Sequence, residues 1–169
     1  MDTFKAILNR RSVREYTQKE VSPEDIKKIL EAGMAAPSAG NQQPWEFMII
    51  TEVHLLKQIA YIHPYAKMTH DVTVAILVCG NTKVEKHKDH WQQDCAASTE
   101  NMLLAITALE LGGVWCGIYP HEDRVEKFQD LFLLPKHIIP FAVIPIGHTT
   151  EKSFKIDRFN KAKIHYNEW

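Results

Sequence analysis

The chain has 169 residues, a length typical of one domain, and its 45% hydrophobic and 24% charged residues are typical of a globular protein. Its formal net charge is -1, so no overall field favours nucleic acid or an anionic membrane, and we expect neither as a partner. Its three cysteines, the lack of an N-terminal signal pattern and the lack of a long apolar stretch predict a cytoplasmic protein without a disulfide framework or a membrane span.

The first predicted element is a short helix over residues 2–8. The segment 10–17 that follows alternates charged and β-branched residues, which is typical of an extended or turning segment. A second helix is predicted to begin after Ser22, because serine is a favoured N-cap and Pro23 suits the first helical position. This helix should end before Pro37, since proline disfavours helical geometry in the residue before it.

A polar loop bounded by prolines, residues 37–44, leads into a succession of strands and helices. The predicted helix over 90–111 is apolar on nearly every side from Cys95 onward, so we expect it in the middle of the fold. The alternation predicts an α/β or α+β class, in a single domain over 1–169, with helices covering a sheet. The predicted strands cover 45–51, 72–79, 114–119 and 138–146, and the other predicted helices cover 52–62 and 122–132.

The C-terminal tail over 154–169 is basic and aromatic, with no clear period. It is too apolar to extend into solvent and too irregular to form a core element. We therefore expect this tail to wrap a partner subunit.

The first candidate for chemistry is Arg10-Arg11-Ser12-Val13-Arg14. Alternate residues of an extended segment face the same side. Arg10, Ser12 and Arg14 could then surround a phosphate, whose oxygens match the fork of a guanidinium group. The alternative is a solvated basic turn that caps the C-terminus of the first helix.

Two further candidates are loops. Ser38, Asn41 and Gln43 offer hydroxyl and amide groups that could bind the edge of a heterocycle, although an ordinary helix-to-strand connection would look the same. Residues 112–120 contain glycines that would let the backbone approach a planar ligand. Within them Cys116 is either a nucleophile or a small core residue, and we expect the second.

Other familiar motifs are absent from the sequence, among them GxGxxG, GxxxxGK[ST], CxxC and HExxH. His87, His90 and Asp94 lie near helical spacing, but the charges around them favour a solvated helix start over a metal site, and we expect no bound metal. The isolated histidines, which support no catalytic triad, are His63, His70 and His121.

Taken together, the three candidate segments resemble the nitroreductase family in their order and spacing, over essentially the whole chain. The residues that carry the resemblance are Arg10-Arg11-Ser12-Val13-Arg14, 37–45, Gly112-Gly113-Val114-Trp115-Cys116-Gly117, Ile146-Gly147-His148 and Arg158. The resemblance implies an α+β fold with a central mixed, mainly antiparallel sheet flanked by helices. It also implies an intertwined homodimer with two FMN molecules at the subunit interface.

The resemblance further implies three sets of cofactor-binding residues. Those around the ribityl phosphate are Arg10, Arg11, Ser12, Arg14 and Arg158. Those on a loop that reaches the flavin from the other subunit are Pro37, Ser38, Asn41 and Gln43. Those along the isoalloxazine are Trp115, Cys116, Gly117 and Ile118, with Lys67 near its pyrimidine edge.

The function implied by the resemblance is an FMN-dependent oxidoreductase. It would pass hydride from NADH or NADPH to small acceptors such as nitroaromatics or quinones by a ping-pong mechanism, with no catalytic side chain because the flavin carries the chemistry. The alternatives are a non-catalytic FMN storage or sensor protein, and a flavin-dependent dehalogenase or flavin-degrading enzyme on the same fold. The chain departs from larger family members, because its compact length and the lack of a carboxylate in 115–117 leave the substrate open.

Overall fold

The structure is a computed structural model that describes residues 2–151 and 156–169. The helices are α1 (Thr3–Asn9), α2 (Pro23–Met34), α3 (Val53–Ile62), α4 (Trp91–Ala108) and α5 (Glu122–Phe132). The strands are β1 (Trp45–Ile50), β2 (Val74–Asn81), β3 (Gly112–Gly113), β4 (Cys116–Gly117) and β5 (Ile138–Gly147). Short 3-10 turns lie at Ala39–Asn41, Lys67–Asp71 and Lys161–Lys163.

The predicted start and end of the second helix are confirmed by α2. The Ser22 hydroxyl accepts a hydrogen bond from the backbone N–H of Asp25 at 3.1 Å, and Pro23 occupies the first helical position. The helix ends at Met34, before Pro37. Local capping chemistry therefore fixes where this helix lies in the chain.

Among the described residues, the sheet has five strands in the order β1-β2-β5-β3, with β4 also paired to β5. Every strand pairing in it is antiparallel, and an isolated parallel bridge joins Ser12 to Gly113. Helices flank this sheet, so the predicted α+β fold with a mainly antiparallel central sheet is confirmed.

Strand β2 is buried on both faces, because its side chains alternate between two cores. Val74, Ile76 and Val78 belong to a cluster that includes buried residues of α2 and α4. Ala75 and Leu77 belong to a second cluster with residues of α3 and α5. Helices therefore cover both faces of the sheet, and the fourth helix contributes buried residues, as predicted.

Two predicted boundaries were wrong in detail. The fourth helix ends at Ala108 rather than 111, because Glu110 adopts a left-handed backbone with φ of 60°. The strand predicted over 114–119 pairs with β5 only at Cys116–Gly117, and a second short ladder precedes it at Gly112–Gly113. The two ladders are separated opposite Pro145, which has no N–H to contribute to a ladder.

The described part of the tail, residues 156–169, is exposed throughout. Residues 154 and 155, at the start of the predicted wrapping segment, lie outside the described residues. Across the part of the chain that the structure covers, none of the helices combines the length and apolar character needed to cross a bilayer.

We predict that Ile76→Ala lowers the free energy of unfolding by about 2–5 kcal/mol, because Ile76 is fully buried in β2 and its truncation leaves a cavity. Ile49→Ala is the matched control, since Ile49 pairs with Ile76 in the sheet register but is half exposed. It should cost less than about 1 kcal/mol. Urea denaturation followed by circular dichroism measures both, and equal losses would contradict the assigned core.

Candidate functional site

The basic segment near the N-terminus is attached to the sheet as an extended strand. The Val13 N–H donates to the Gly113 carbonyl at 3.1 Å, and the Thr17 N–H donates to the His148 carbonyl at 2.8 Å. Val13 packs inward, where a Cβ on Gly112 would lie 2.6 Å from it, while Ser12 and Arg14 are exposed. The predicted alternation of faces is therefore present in this segment.

Arg10, Arg11 and Arg158 form a basic corner. The Arg10 Nε lies 3.5 Å from a carboxylate oxygen of Glu100 on α4. Partial burial, together with the nearby charges of Arg158 and Arg10, lowers the pKa of the Arg11 guanidinium. Like charges held close together favour binding of an anion, as a phosphate site requires.

The alternative interpretation of the basic segment, a cap on the first helix, also describes part of the structure. Arg11 Nη1 donates to the carbonyl oxygens of Leu8 at 3.1 Å and Arg10 at 2.6 Å, at the C-terminal end of α1. Both of these bonds come from one of the guanidinium nitrogens. The structure therefore supports the helix-cap interpretation for Arg11 Nη1.

Arg14 borders a groove whose described lining residues include none of Arg10, Arg11 and Arg158. It lines this open groove of about 690 Å³ together with Lys67, and the other described lining residues are Ala60, Tyr61, Met68, His70 and Asp71. Two cations thus face one groove whose walls are partly apolar. Such a groove suits a planar ligand that carries partial negative charge along one edge.

Glu151 orients the start of this groove and was missed by the sequence analysis. Its carboxylate accepts hydrogen bonds from the backbone N–H groups of Arg14 at 3.0 Å and Glu15 at 2.9 Å. The two segments are separated by 137 positions, and no local sequence signal connects them.

The glycine loop predicted to approach a planar ligand lies against β5. The backbone N–H groups of Ile118 and Tyr119 both donate to the Phe141 carbonyl, at 2.9 and 3.1 Å. A Cβ built on Gly117 would meet only Trp115 Nε1, at 3.9 Å, so the space above this glycine is open. The loop therefore presents accessible backbone at Gly117.

The side chains on either side of Gly117 point into the core, and Trp115 is half buried against Phe141 at 5.5 Å between ring centroids. Burial raises the pKa of the Cys116 thiol to about 11, against a smaller opposite effect of Arg14. Cys116 is thus a core residue, as expected, and not a nucleophile. Cys116 and Ile118 can offer a ligand only their backbone atoms.

The loop over 37–44 is held by a buried pair that sequence reasoning did not identify. The carboxylate of Asp94 accepts from the Ala39 N–H at 2.9 Å and from Gln42 Nε2 at 2.7 Å. Gln42 Oε1 in turn accepts from the backbone N–H groups of Lys86 and His87. The expectation of a solvated helix start around Asp94 was wrong for this residue, because it is 5% exposed and serves as the anchor of the loop.

The four predicted binding residues of this loop differ in their surroundings, and Pro37 is exposed. The Ser38 hydroxyl accepts from the Gln43 N–H at 3.0 Å and is half buried. Asn41 and Gln43 are exposed, and both adopt left-handed backbone with φ of 53° and 47°. Non-glycine residues rarely hold this conformation, so the anchored loop carries strain that is typical of functional sites.

The structure brings some of the predicted site residues together and leaves others apart. Arg10 and Arg11 lie beside Arg158, and Arg14 shares a groove with Lys67. Among the described residues that line this groove, none belongs to the loop over 37–44.

His63, expected to stand alone, is fully buried and both ring nitrogens have partners. The Tyr65 N–H donates to Nδ1 at 3.1 Å, and Nε2 lies 2.9 Å from the Gly117 carbonyl. Sequence reasoning missed it because both partners are backbone groups, which carry no residue-type signal.

Comparison with known proteins gives a consistent picture. A sequence model of the nitroreductase family matches residues 7–63 and 60–148. A protein of Methanothermobacter thermautotrophicus, provisionally named NADH dehydrogenase/NAD(P)H nitroreductase, is 45% identical over 169 residues, covering all of this chain and 88% of that protein.

Two crystal structures share the fold. A Parabacteroides distasonis protein of the same provisional name has a TM-score of 0.95 at 41% identity, covering 99% of this chain and 98% of the other. A provisionally named nitroreductase of Desulfovibrio desulfuricans, in complex with FMN, has a TM-score of 0.84 at 29% identity, covering 99% and 97%.

We predict that Asp94→Asn loosens the loop over 37–44, because an amide in place of the carboxylate brings a donor against Gln42 Nε2. The free energy of unfolding should fall by about 1–3 kcal/mol, and the Ala39 amide should exchange faster with solvent. Asp123→Asn is the control, since Asp123 forms an exposed pair with Lys127 at 3.6 Å and should change stability by less than about 1 kcal/mol. Unchanged exchange at Ala39 would contradict the anchor.

Proposed function

The chain belongs to the nitroreductase family, and we propose that it passes hydride from NAD(P)H through bound FMN to a small acceptor such as a nitroaromatic or a quinone, in a ping-pong cycle. The family match and the full-length relatives show that it is an FMN-dependent NAD(P)H oxidoreductase. When bound, FMN supplies the redox chemistry. The task of the chain is to bind and orient it.

The proposal rests on the open backbone at Gly117 and on a groove lined by Arg14 and Lys67 as well as by Asp71. Gly117 has no neighbour that would fill its missing side chain. Arg14 lies close enough to influence the neighbouring Cys116 thiol, and it lines the groove together with Lys67. This donor set fits a planar, electron-accepting ring, because cations near such a ring stabilise the negative charge that it gains.

The phosphate of the cofactor fits the basic corner. We assign it to Arg10, Arg11, Ser12 and Arg158, because guanidinium groups bind phosphate oxygens through paired, charge-assisted hydrogen bonds. Arg14, which the resemblance places with the phosphate, lines the groove instead, so we assign it with Lys67 to the ring. The chain has no dinucleotide fingerprint, which fits a nicotinamide that uses the same open groove as the acceptor.

A homodimer is part of the proposal. Among the described lining residues of the groove, none belongs to the loop over 37–44, and we propose that the contact of this loop with FMN, through Pro37, Ser38, Asn41 and Gln43, comes from a second copy of the chain. Apolar side chains suited to an interface are exposed on α1 and on the tail, namely Phe4, Ile7, Leu8, Phe159, Tyr166 and Trp169. A wrapping tail would bury such residues against the partner.

The experiment that tests the function is anaerobic mixing of the FMN-loaded protein with NADH or NADPH. The visible flavin absorbance should bleach, and a nitroaromatic or a quinone added afterwards should restore it. Steady-state double-reciprocal plots should be parallel, because the donor leaves before the acceptor binds. Failure to bleach would favour a storage or sensor protein, and intersecting lines would contradict the ping-pong cycle.

We predict that Gly117→Ala weakens FMN binding by about tenfold or more, because the added methyl group occupies the space that the ring needs. Stability without FMN should change little, since the new Cβ meets no close neighbour and the backbone is not left-handed. Gly113→Ala is the comparison, because its Cβ would press on Ile106 at 3.2 Å and should reduce stability. Flavin fluorescence titration and thermal melts measure both effects, and unchanged FMN affinity in Gly117→Ala would contradict the assigned ring position.

A further inference from the structure

His63 follows α3 as its C-cap and is fully buried, although histidine is seldom fully buried without a reason. Because the Tyr65 N–H donates to Nδ1, that nitrogen carries no hydrogen. The ring hydrogen is then on Nε2, which donates to the Gly117 carbonyl at 2.9 Å. The neutral imidazole is therefore fully used, with one nitrogen on each of two chain segments.

Other contacts join the same two segments. The Cys116 Sγ–H donates to the Tyr65 carbonyl at 3.4 Å. Arg124, on α5, donates from Nη1 to the Gly117 carbonyl at 3.1 Å, and its guanidinium lies 5.5 Å from the centre of the Tyr65 ring. The carbonyl of Gly117 thus has two donors, and the segment around Tyr65 is held to it at several points.

The proposed flavin site assigns a part to each of the two segments. Lys67 follows Tyr65 by two positions and lines the groove, while Gly117 presents the open backbone. We propose that His63 is a positioning residue that holds the Gly117 loop at a fixed distance from the segment carrying Lys67, and so sets the width of the flavin site. This inference rests on the proposed function.

The charge state of His63 supports this role. Burial lowers the pKa of His63, and the bond to the Gly117 carbonyl opposes this shift. Arg124 on α5 and His121, which precedes that helix, lower the pKa of His63 further. The remaining groups that face the imidazole are the Tyr65 and Phe128 rings. Protonation would place a hydrogen on Nδ1 against the Tyr65 N–H, so only the neutral ring fits both segments.

The test compares His63→Leu, which removes the donor to Gly117, with His63→Gln, whose amide can still donate from a similar position. FMN affinity, measured by flavin fluorescence quenching at neutral pH, should fall about tenfold in His63→Leu and stay within about threefold of the original protein in His63→Gln. His54→Gln on α3 is the control, because His54 is exposed and should leave the affinity unchanged.

A pH series separates positioning from a general loss of stability. Because the folded pKa of His63 is depressed, the unfolded state binds more protons below about pH 6.5. Stability from the neutral ring is therefore complete above that pH and falls as the pH drops below it. FMN affinity should fall at lower pH, where the ring becomes protonated in the folded protein, and it should fall less in His63→Gln. The ratio of the two affinities cancels the titration of the FMN phosphate, which both proteins share.

Four outcomes are decisive. An equal affinity for FMN in the original protein and in His63→Leu, or identical pH profiles in the original protein and in His63→Gln, would overturn the role of His63 while leaving the proposed function intact. Loss of FMN binding by the original protein itself would overturn the proposed function instead. If His63→Leu does not fold, Arg124→Met removes the second donor to Gly117 outside the core, and an unchanged FMN affinity in that variant would contradict the network.

Discussion

The backbone pairing of β5 is the constraint on which the site depends. Along one edge this strand pairs with β2 in the buried centre of the sheet, and along the other it pairs with β3 and β4. The N-terminal basic segment attaches to β3 through the Gly113 carbonyl, and the Gly117 loop attaches through the Phe141 carbonyl. A single strand therefore sets the distance between the proposed phosphate and ring ends of the flavin site, and its hydrophobic burial supplies the rigidity that such a site needs.

Polar side chains then hold the segments that carry the chemistry. Asp94 fixes the loop over 37–44, Glu151 fixes the backbone at Arg14, and His63 fixes the Gly117 carbonyl. Each uses a side chain on backbone groups, which are abundant in loops and costly to leave unsatisfied when buried. The residues proposed to contact the ligand are thus mostly exposed, and the residues that orient them are mostly buried.

The elements with a local signal could be predicted from the sequence, and those that depend on distant contacts could not. The helix that begins after Ser22 was predicted because its cap lies within three residues, and the buried strand around Ile76 was predicted because its apolar run is continuous. The role of Asp94 was missed, because its partners lie 52 and 55 positions away. The split of the strand near 114–119 was also missed, because it depends on Pro145 in a neighbouring strand. The order and spacing of three weak motifs supplied the family resemblance that no single motif could carry.

We propose that the corner formed by Arg10, Arg11 and Arg158 anchors the phosphate of FMN. Titration of the FMN-free protein with FMN and with riboflavin tests it most directly, since the two ligands differ only by that phosphate. We expect FMN to bind at least about tenfold more tightly than riboflavin. Added salt should reduce this difference in affinity, and Arg158→Ala should reduce it further. Equal affinities for the two ligands, unaffected by salt or by Arg158→Ala, would show that this corner does not bind the phosphate.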